Sequence, residues 1–329
     1  MNYANANTVI SLSFVKGIGP AFFKKNLPLF ETINSNAVID NFRHFLEISK
    51  KTLHIDEIEN AIQQGEDILA NCEDNGIEVL SIGDKNYPTS LLGLKDPPPV
   101  VYYKGRLSNI KNAITIIGTR EPNKNGAIIA ERLAGYFTQN NWSICNGLAE
   151  GIDTFSVKCG NDYFPKTIGV MGGGLNYEKS KTLLKNVAKN ADKILENNGL
   201  LISEIQPDKK EDTFSVIKSC RIQSGLGQGL ILVQSSISGG SKYTIKSFAE
   251  LNRTLGFIYP IKQDYDLESY GANKLLAEKG MIGLAELTES KIDKIATRKV
   301  FAIKSKDDYM AYENLLSNQI QNAQNQLFQ

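Results

Sequence analysis

The sequence predicts an α/β protein built on a mostly parallel sheet, with helices wound on both faces and a small helical domain in front. Three observations carry this. Six times between Asn112 and Pro260 the chain presents a short apolar run: Ile114–Ile117, Trp142–Cys145, Thr167–Met171, Leu200–Ile205, Leu230–Gln234 and Gly256–Tyr259. Polar, largely glycine-bearing stretches follow the first five, and helix-like segments separate most of the runs, which is the pattern of a doubly wound sheet. Residues 1–70, by contrast, read as helical and separate.

In chain order, Phe14-Val15-Lys16-Gly17-Ile18-Gly19-Pro20 ahead of Ala21–Lys25 has the form of a hairpin between two helices. It reads either as a phosphate-meeting helix N-terminus or as an αα-corner packed on Phe22 and Phe23. Residues 71–290 form the sheet domain. Its lead-in holds a short strand at Ile77–Ile82 and a proline-stiffened approach, Asp96–Pro99, to a second at Val100–Gly105. The wound sheet occupies about 112–260, and a helix at Ala272–Lys279 stops at Gly280. Residues 291–329 read as a strand/helix tail. Its helix, Asp307 to Phe328, has Met310, Leu315, Ile320 and Leu327 among its apolar positions and an Asn/Gln-rich remaining face. That helix either caps the core or serves self-association.

Composition narrows the function. Of 329 residues, 37 are Lys or Arg and 36 are Asp or Glu, a net charge of +1. Any nucleic-acid surface must therefore come from a few placed cations. Cys72, Cys145, Cys159 and Cys220 form no C-x-x-C pair, and the histidines are His44 and His54 only, so neither a metal site nor a cofactor is expected. Scattered thiols, a polar Met1–Thr8 and the lack of any apolar stretch approaching the ~18 residues of a membrane helix predict a cytoplasmic protein with no membrane partner.

Ligands of open parallel sheets gather at the strands' carboxyl ends. There the loops offer small residues and backbone N–H groups, which suits an anion such as phosphate. Gly118-Thr119-Arg120 ends the first run; Arg120 would hold a phosphate or pair with Glu121 or Glu131. Gly126 opens the helix Ala127–Asn140. Gly147 and Gly151 bracket the second loop, where Asp153 caps the next helix or binds a ribose hydroxyl. Gly172-Gly173-Gly174 marks a packing constraint or a ligand against the backbone. Ser238-Gly239-Gly240-Ser241-Lys242-Tyr243-Thr244 opens a helix ending near Arg253 and is the richest anion site by composition. It is not a Walker loop, no G-x-S-x-G elbow exists, and no catalytic residue is evident. Tyr243 and Phe214 are candidates for base stacking, if they are not core.

Taken together, these motifs resemble those of the DprA/Smf family, the DNA-processing proteins of natural transformation. The markers run in family order: Tyr87-Pro88 with Leu91 and Leu92, Asp96-Pro97-Pro98, Tyr103-Lys104-Gly105, Gly118-Thr119-Arg120, Gly147–Asp153, Gly172–Asn176, Ser203-Glu204, Gly225-Leu226, Gly240-Ser241 with Thr244, and Gly271-Ala272-Asn273 with Gly280. The resemblance implies an extended Rossmann-like fold, single-stranded DNA binding without catalysis, a homodimer, and delivery of the strand to a RecA-type recombinase. It places DNA at the Gly118–Arg120 loop and at the loops from 147, 172 and 238, with Lys218 and Arg221 as nearby cations.

The chain also departs from the family. The family's Arg-Asn-Arg maps onto Ser219-Cys220-Arg221, Ser156-Val157 replaces Ala-His, the Tyr-Pro after the third-run glycines is missing, and no winged-helix domain is evident in the tail. The competing readings are a small-nucleotide sensor, a nucleotide hydrolase of related fold, and a degenerate interaction protein. The hydrolases carry P-G-G-x-G-T-x-x-E; here Ser247 stands where the acid belongs and Glu250 follows one turn later.

Overall fold

The structure, a computed structural model, describes residues 4–33 and 37–327. Met1 to Tyr3 and Phe328, each part of a stretch read from sequence, lie outside the described residues. Along the chain come helices α1 (Ala4–Ser13), α2 (Pro20–Lys25), α3 (Leu27–Phe30), α4 (Val38–Ser49) and α5 (Ile55–Asp74), then strands β1 (Glu78–Ser81), β2 (Val100–Gly105) and β3 (Ala113–Ile117). There follow α6 (Lys124–Gln139), β4 (Ser143–Asn146), α7 (Ile152–Phe155), β5 (Lys158–Cys159), β6 (Asp162–Tyr163), β7 (Ile168–Val170), α8 (Tyr177–Ser180), α9 (Lys185–Glu196) and β8 (Leu200–Ser203). The chain continues through α10 (Thr213–Leu226), β9 (Gly229–Leu232), α11 (Ser241–Ala249), β10 (Thr254–Ile258), α12 (Gly271–Leu287), β11 (Lys299–Ile303) and α13 (Asp307–Leu327). The fold is mixed α/β with a large, mostly parallel sheet and a helical N-terminal region.

Two compact units divide the chain. One takes residues 1–104, 171–184 and 202–216; the other takes 105–170, 185–201 and 217–329. In the first, the buried rings of Phe23, Phe30, Phe42 and Phe45 form the helical core, with Phe30 and Phe45 stacked at 4.1 Å. Gly65 lets α5 approach α1, since a Cβ there would strike the side chains of Asn7 and Ser11. Strands β1 and β2 pair antiparallel, Glu78 opposite Tyr103, and the Tyr87 hydroxyl donates to the Pro98 carbonyl at 2.6 Å.

The second unit carries the parallel strands in the order β7-β4-β3-β9-β10-β11. Beside β7, the Leu200 N–H donates to the Thr167 carbonyl at 2.8 Å. Both sheet faces are covered, as the continuous apolar runs require. Ile114 and Ile116 of β3 join Ile231 and Val233 in a core with Leu133 and Phe137 of α6, whereas the Thr115 hydroxyl points to the other face and donates to the Gln223 carbonyl of α10.

Several boundaries differ from the sequence reading for identifiable reasons. Helix α6 begins at Lys124, because the Asn123 side chain accepts the Gly126 N–H at 2.8 Å and caps it earlier. The α12 segment continues past Gly280 to Leu287, but Gly280, at φ 52°, breaks its helical geometry. Helix α13 packs on the sheet through Tyr309, Tyr312, Leu316 and Gln319, while Met310 is exposed. Gly229 and Gly256 lack the side chains that would collide with Tyr312, whose hydroxyl lies 2.9 Å from the carbonyls of both Leu230 and Thr254.

Helix α11 stops at Ala249, which leaves Arg253 to another task. Its half-buried side chain donates from Nη1 to the carbonyls of Ser224, Gly225 and Gly227 at 3.1, 2.9 and 2.6 Å, closing the C-terminal end of α10. Burial pushes its pKa down to about 10, so the charge persists at neutral pH. Replacing Arg253 with Met strands those carbonyls and should lower stability by roughly 2–4 kcal/mol. Urea unfolding should show a reduced midpoint with an unchanged slope; an unchanged midpoint refutes the assignment.

Candidate functional site

The site grows out of the strand order. From β3 the chain winds outward through β4 and β7, then returns to β9 on the opposite side of β3. The winding reverses between β3 and β9, so the loops leaving these neighbours separate into a crevice at the carboxyl edge. The Thr119 N–H crosses that point and donates to the Gln234 carbonyl at 2.7 Å, and the Ile152 N–H donates to the Thr119 carbonyl at 3.1 Å. The Gln234 side chain accepts the Asn123 N–H at 3.1 Å and donates to the Ser269 hydroxyl at 2.9 Å. One residue thus joins the post-β3 loop, the start of α6 and the segment before α12.

Two glycines are required by this geometry. Gly151 has φ 79°, and a Cβ there would collide with the carbonyl oxygens of Thr119 and Arg120. Gly118 is hemmed in by Ile152 and the Gln234 carbonyl. With its backbone fixed from both sides, the Arg120 side chain is exposed at the rim.

Beneath the rim lies Asp153. It does not cap a helix N-terminus; one carboxylate oxygen accepts the N–H groups of Gly147 and Ala149 at 3.1 and 3.3 Å, folding the loop back on itself. Burial pushes its pKa up to about 7, against the opposing pull of these two N–H groups and the Arg120 charge. Cys220 of α10 senses both Asp153 and Arg120 and bonds to the Thr244 side chain; burial raises its pKa and keeps it a thiol.

The remaining sequence-derived residues fall in both units. Gly172, Gly173 and Gly174 are buried in the first unit. Their Cα faces are filled by Val216, by Thr182 with Leu183, and by the carbonyls of Gln206 and Pro207, so these glycines serve packing there. Lys218 is half-buried, and Arg221 is 6% exposed and donates to the Lys218 carbonyl at 2.9 Å. After β9, Ser238 and Gly240 are exposed, Gly239 packs over the Ser235 hydroxyl, and Ser241 and Thr244 are buried. Lys242 pairs with Glu289 at 3.6 Å and lines a cleft of about 500 Å³ with Tyr265, Lys274 and Glu286. Tyr243 and Phe214 are both exposed, Phe214 in the first unit at 73%.

Sequence reasoning named Gln234 only as the end of an apolar run and Asn273 only as a family marker, with no role for either side chain. The Asn273 amide donates to the carbonyls of Val233 and Ile258 at 3.0 and 2.9 Å, and its oxygen accepts the Ser235 N–H at 3.1 Å, fixing the ends of β9 and β10. The available signal was a polar residue closing an apolar run, which Gln234 provides. Among the described residues no His, Cys, Asp or Glu cluster could hold a metal, and no helix is long and apolar enough to cross a membrane.

The raised pKa of Asp153 makes stability depend on pH with a defined sign. The folded state binds this proton more tightly than the unfolded chain, whose ordinary value is about 4. The resulting stability is fully present below about pH 4 and is lost as pH rises toward 7. Asp153→Asn keeps an acceptor and removes the titration. The unfolding free energy of the parent minus that of the variant should therefore fall between pH 5 and 7 and level off above; a constant difference overturns the assignment.

Comparison with known proteins gives a consistent family. The sequence model of the DNA recombination-mediator protein A family matches residues 78–295. The DNA processing protein DprA of Bacillus subtilis (strain 168) is 32% identical over 202 residues, 60% of this chain and 65% of that protein. The chain thus matches slightly under two thirds of that relative's length. Protein Smf of Synechocystis is 25% identical over 298 residues, 84% of this chain and 70% of that protein. Among solved structures, DNA processing protein A of Streptococcus pneumoniae superimposes with a TM-score of 0.64 at 22% identity, covering 94% of this chain and 97% of that one. DNA processing protein A of Helicobacter pylori, whose structure concerns a single-stranded DNA binding mode, gives 0.52 at 24% identity, covering 65% and 94%. At these identities the structural likeness is one of fold.

Proposed function

The chain belongs to the DNA recombination-mediator protein A family, and from that premise we propose that it binds single-stranded DNA through the rim of the β3–β9 crevice. The observation that carries the reading is Arg120: an exposed cation whose loop is hydrogen-bonded on both sides at the sheet's switch point. A guanidinium there can hold two phosphate oxygens. The residues assigned to the strand are Thr119 and Arg120, with Ser238 and Gly240 beyond the crevice and Tyr243 as an exposed ring for a base. Two wider parts of the reading follow from the family alone: a homodimer, and hand-over of the strand to a RecA-type recombinase during DNA uptake or recombination.

The reading is tested by titrating labelled oligo-dT at two salt concentrations. Each neutralised phosphate contributes about −0.7 to the log–log salt slope. Arg120→Ala should weaken binding by roughly 1.5–3 kcal/mol, equally for all sequences, and make that slope shallower. Binding indistinguishable from the parent at both salts, with an unchanged melting curve, removes the rim as the DNA site.

The hydrolase alternative is opposed by position. Glu250 directly follows α11, whose N-terminus faces the strand ends, so nine residues of rise place it about 13 Å away. Nucleoside monophosphates should accordingly release no base with this protein; sustained release that Glu250→Gln abolishes would install the hydrolase instead.

A further inference from the structure

Helix α9 carries Lys185, Lys189 and Lys193 at four-residue intervals, all exposed. Its opposite side is sealed: Ala191 and Ile194 are buried, and Asn190, 8% exposed, donates to the Leu148 carbonyl at 3.4 Å and the Thr154 hydroxyl at 3.3 Å. The Asn190 oxygen also accepts the Tyr163 hydroxyl at 2.7 Å. These bonds fix the rotation of the helix, so the lysines form one outward row with about 6 Å of rise between neighbours. The row starts at the candidate site. The Asn186 amide donates to Glu150 at 2.5 Å, and Glu150 adjoins Gly151, which lies against the backbone of Thr119 and Arg120.

We propose that the lysine row of α9 extends the single-stranded DNA path beyond the crevice, holding the phosphates of the strand as it leaves Arg120; this rests on the DNA-binding reading above. The argument is charge complementarity on a fixed spacing. The chain's net charge is +1, so an aligned row of cations beside a phosphate-binding loop is a local departure from its balance. Lys185 and Lys189 are the effective members, because Lys193 is paired with Glu196 at 2.6 Å. Glu150 opposes the path: its carboxylate sits between Arg120's loop and the row, held by the Asn186 amide without being neutralised. Lysine contacts of this kind carry no base information, so the path should accept any sequence.

The test compares oligo-dT of about 6 and about 25 nucleotides, lengths chosen to fall within and beyond a single compact site of ~4–16 nucleotides. With Lys185→Ala/Lys189→Ala, the long oligonucleotide should bind about tenfold more weakly, with a salt slope shallower by about 1.4, two phosphates at about 0.7 each. The short one should bind like the parent, and Glu150→Gln should tighten the long one alone. Long-oligonucleotide binding unchanged in the lysine variant, while Arg120→Ala weakens both lengths, overturns the row and leaves the crevice reading intact. Equal weakening of both lengths also overturns it, since the lysines would then act at the crevice or through the fold. If the parent binds neither length, the DNA-binding reading itself fails.

Discussion

The hydrogen bond from Thr119 to Gln234 ties together the two loops at the place where a parallel sheet would otherwise leave them apart. In a doubly wound sheet, the loops either side of the switch point leave toward opposite faces. Nothing in the strand ladder fixes their mutual position. Here the carbonyl of Gln234 holds one loop while its side chain reaches the start of α6 and Ser269. Gly126 provides the room, since a Cβ there would collide with the Gln234 side-chain oxygen. The placement of Arg120 follows from this joint, and so does the need for Gly151, whose positive φ lets the next loop press against the same backbone.

The electrostatics of the rim are as local as the net charge demands. Asp153 is buried for a structural purpose, closing the loop from Gly147 to Ala149, and burial brings its titration to neutrality. The field at Arg120 therefore depends on how far this carboxyl is ionised. Protonation leaves the guanidinium less compensated, and an anion at the guanidinium in turn favours protonation; the two are reciprocal by linkage. Neither histidine of the chain belongs to this unit, His44 lying in α4 and His54 just before α5.

The strands were legible because a parallel strand buried on both faces has to be a continuous apolar run, and all six runs became strands within two residues of their expected ends. The loops were legible as loops. What each glycine serves was not, because its neighbour is remote in sequence: Gly172 meets Val216, Gly174 meets the carbonyls of Gln206 and Pro207, and Gly229 meets Tyr312. The buried face of α13 was not legible for a related reason. Its buried positions, Tyr309, Tyr312, Leu316 and Gln319, mix aromatic and amide residues, two of which bond to backbone groups of the sheet region, and among the described residues only Ile320 of the apolar positions read from sequence is packed against this core.

Burial also changes the meaning of the chain's departure from its family at residues 219–221. Read from sequence, Ser219-Cys220-Arg221 is a binding motif stripped of an arginine. In the fold, Ser219 is 3% exposed and Arg221 6%, and Cys220 is drawn toward Thr244 on α11. A guanidinium at 219 would have to be desolvated, at a cost of several kcal/mol unless it found a partner. These positions lie where α10 meets α11, and the Ser224 hydroxyl donates to the Thr244 carbonyl at 2.7 Å one turn further on. Whatever anion affinity the second unit has must reside in cations that solvent reaches. Arg120 is such a cation at the crevice loops, as is Lys124 at the start of α6, and the proposed path adds Lys185 and Lys189.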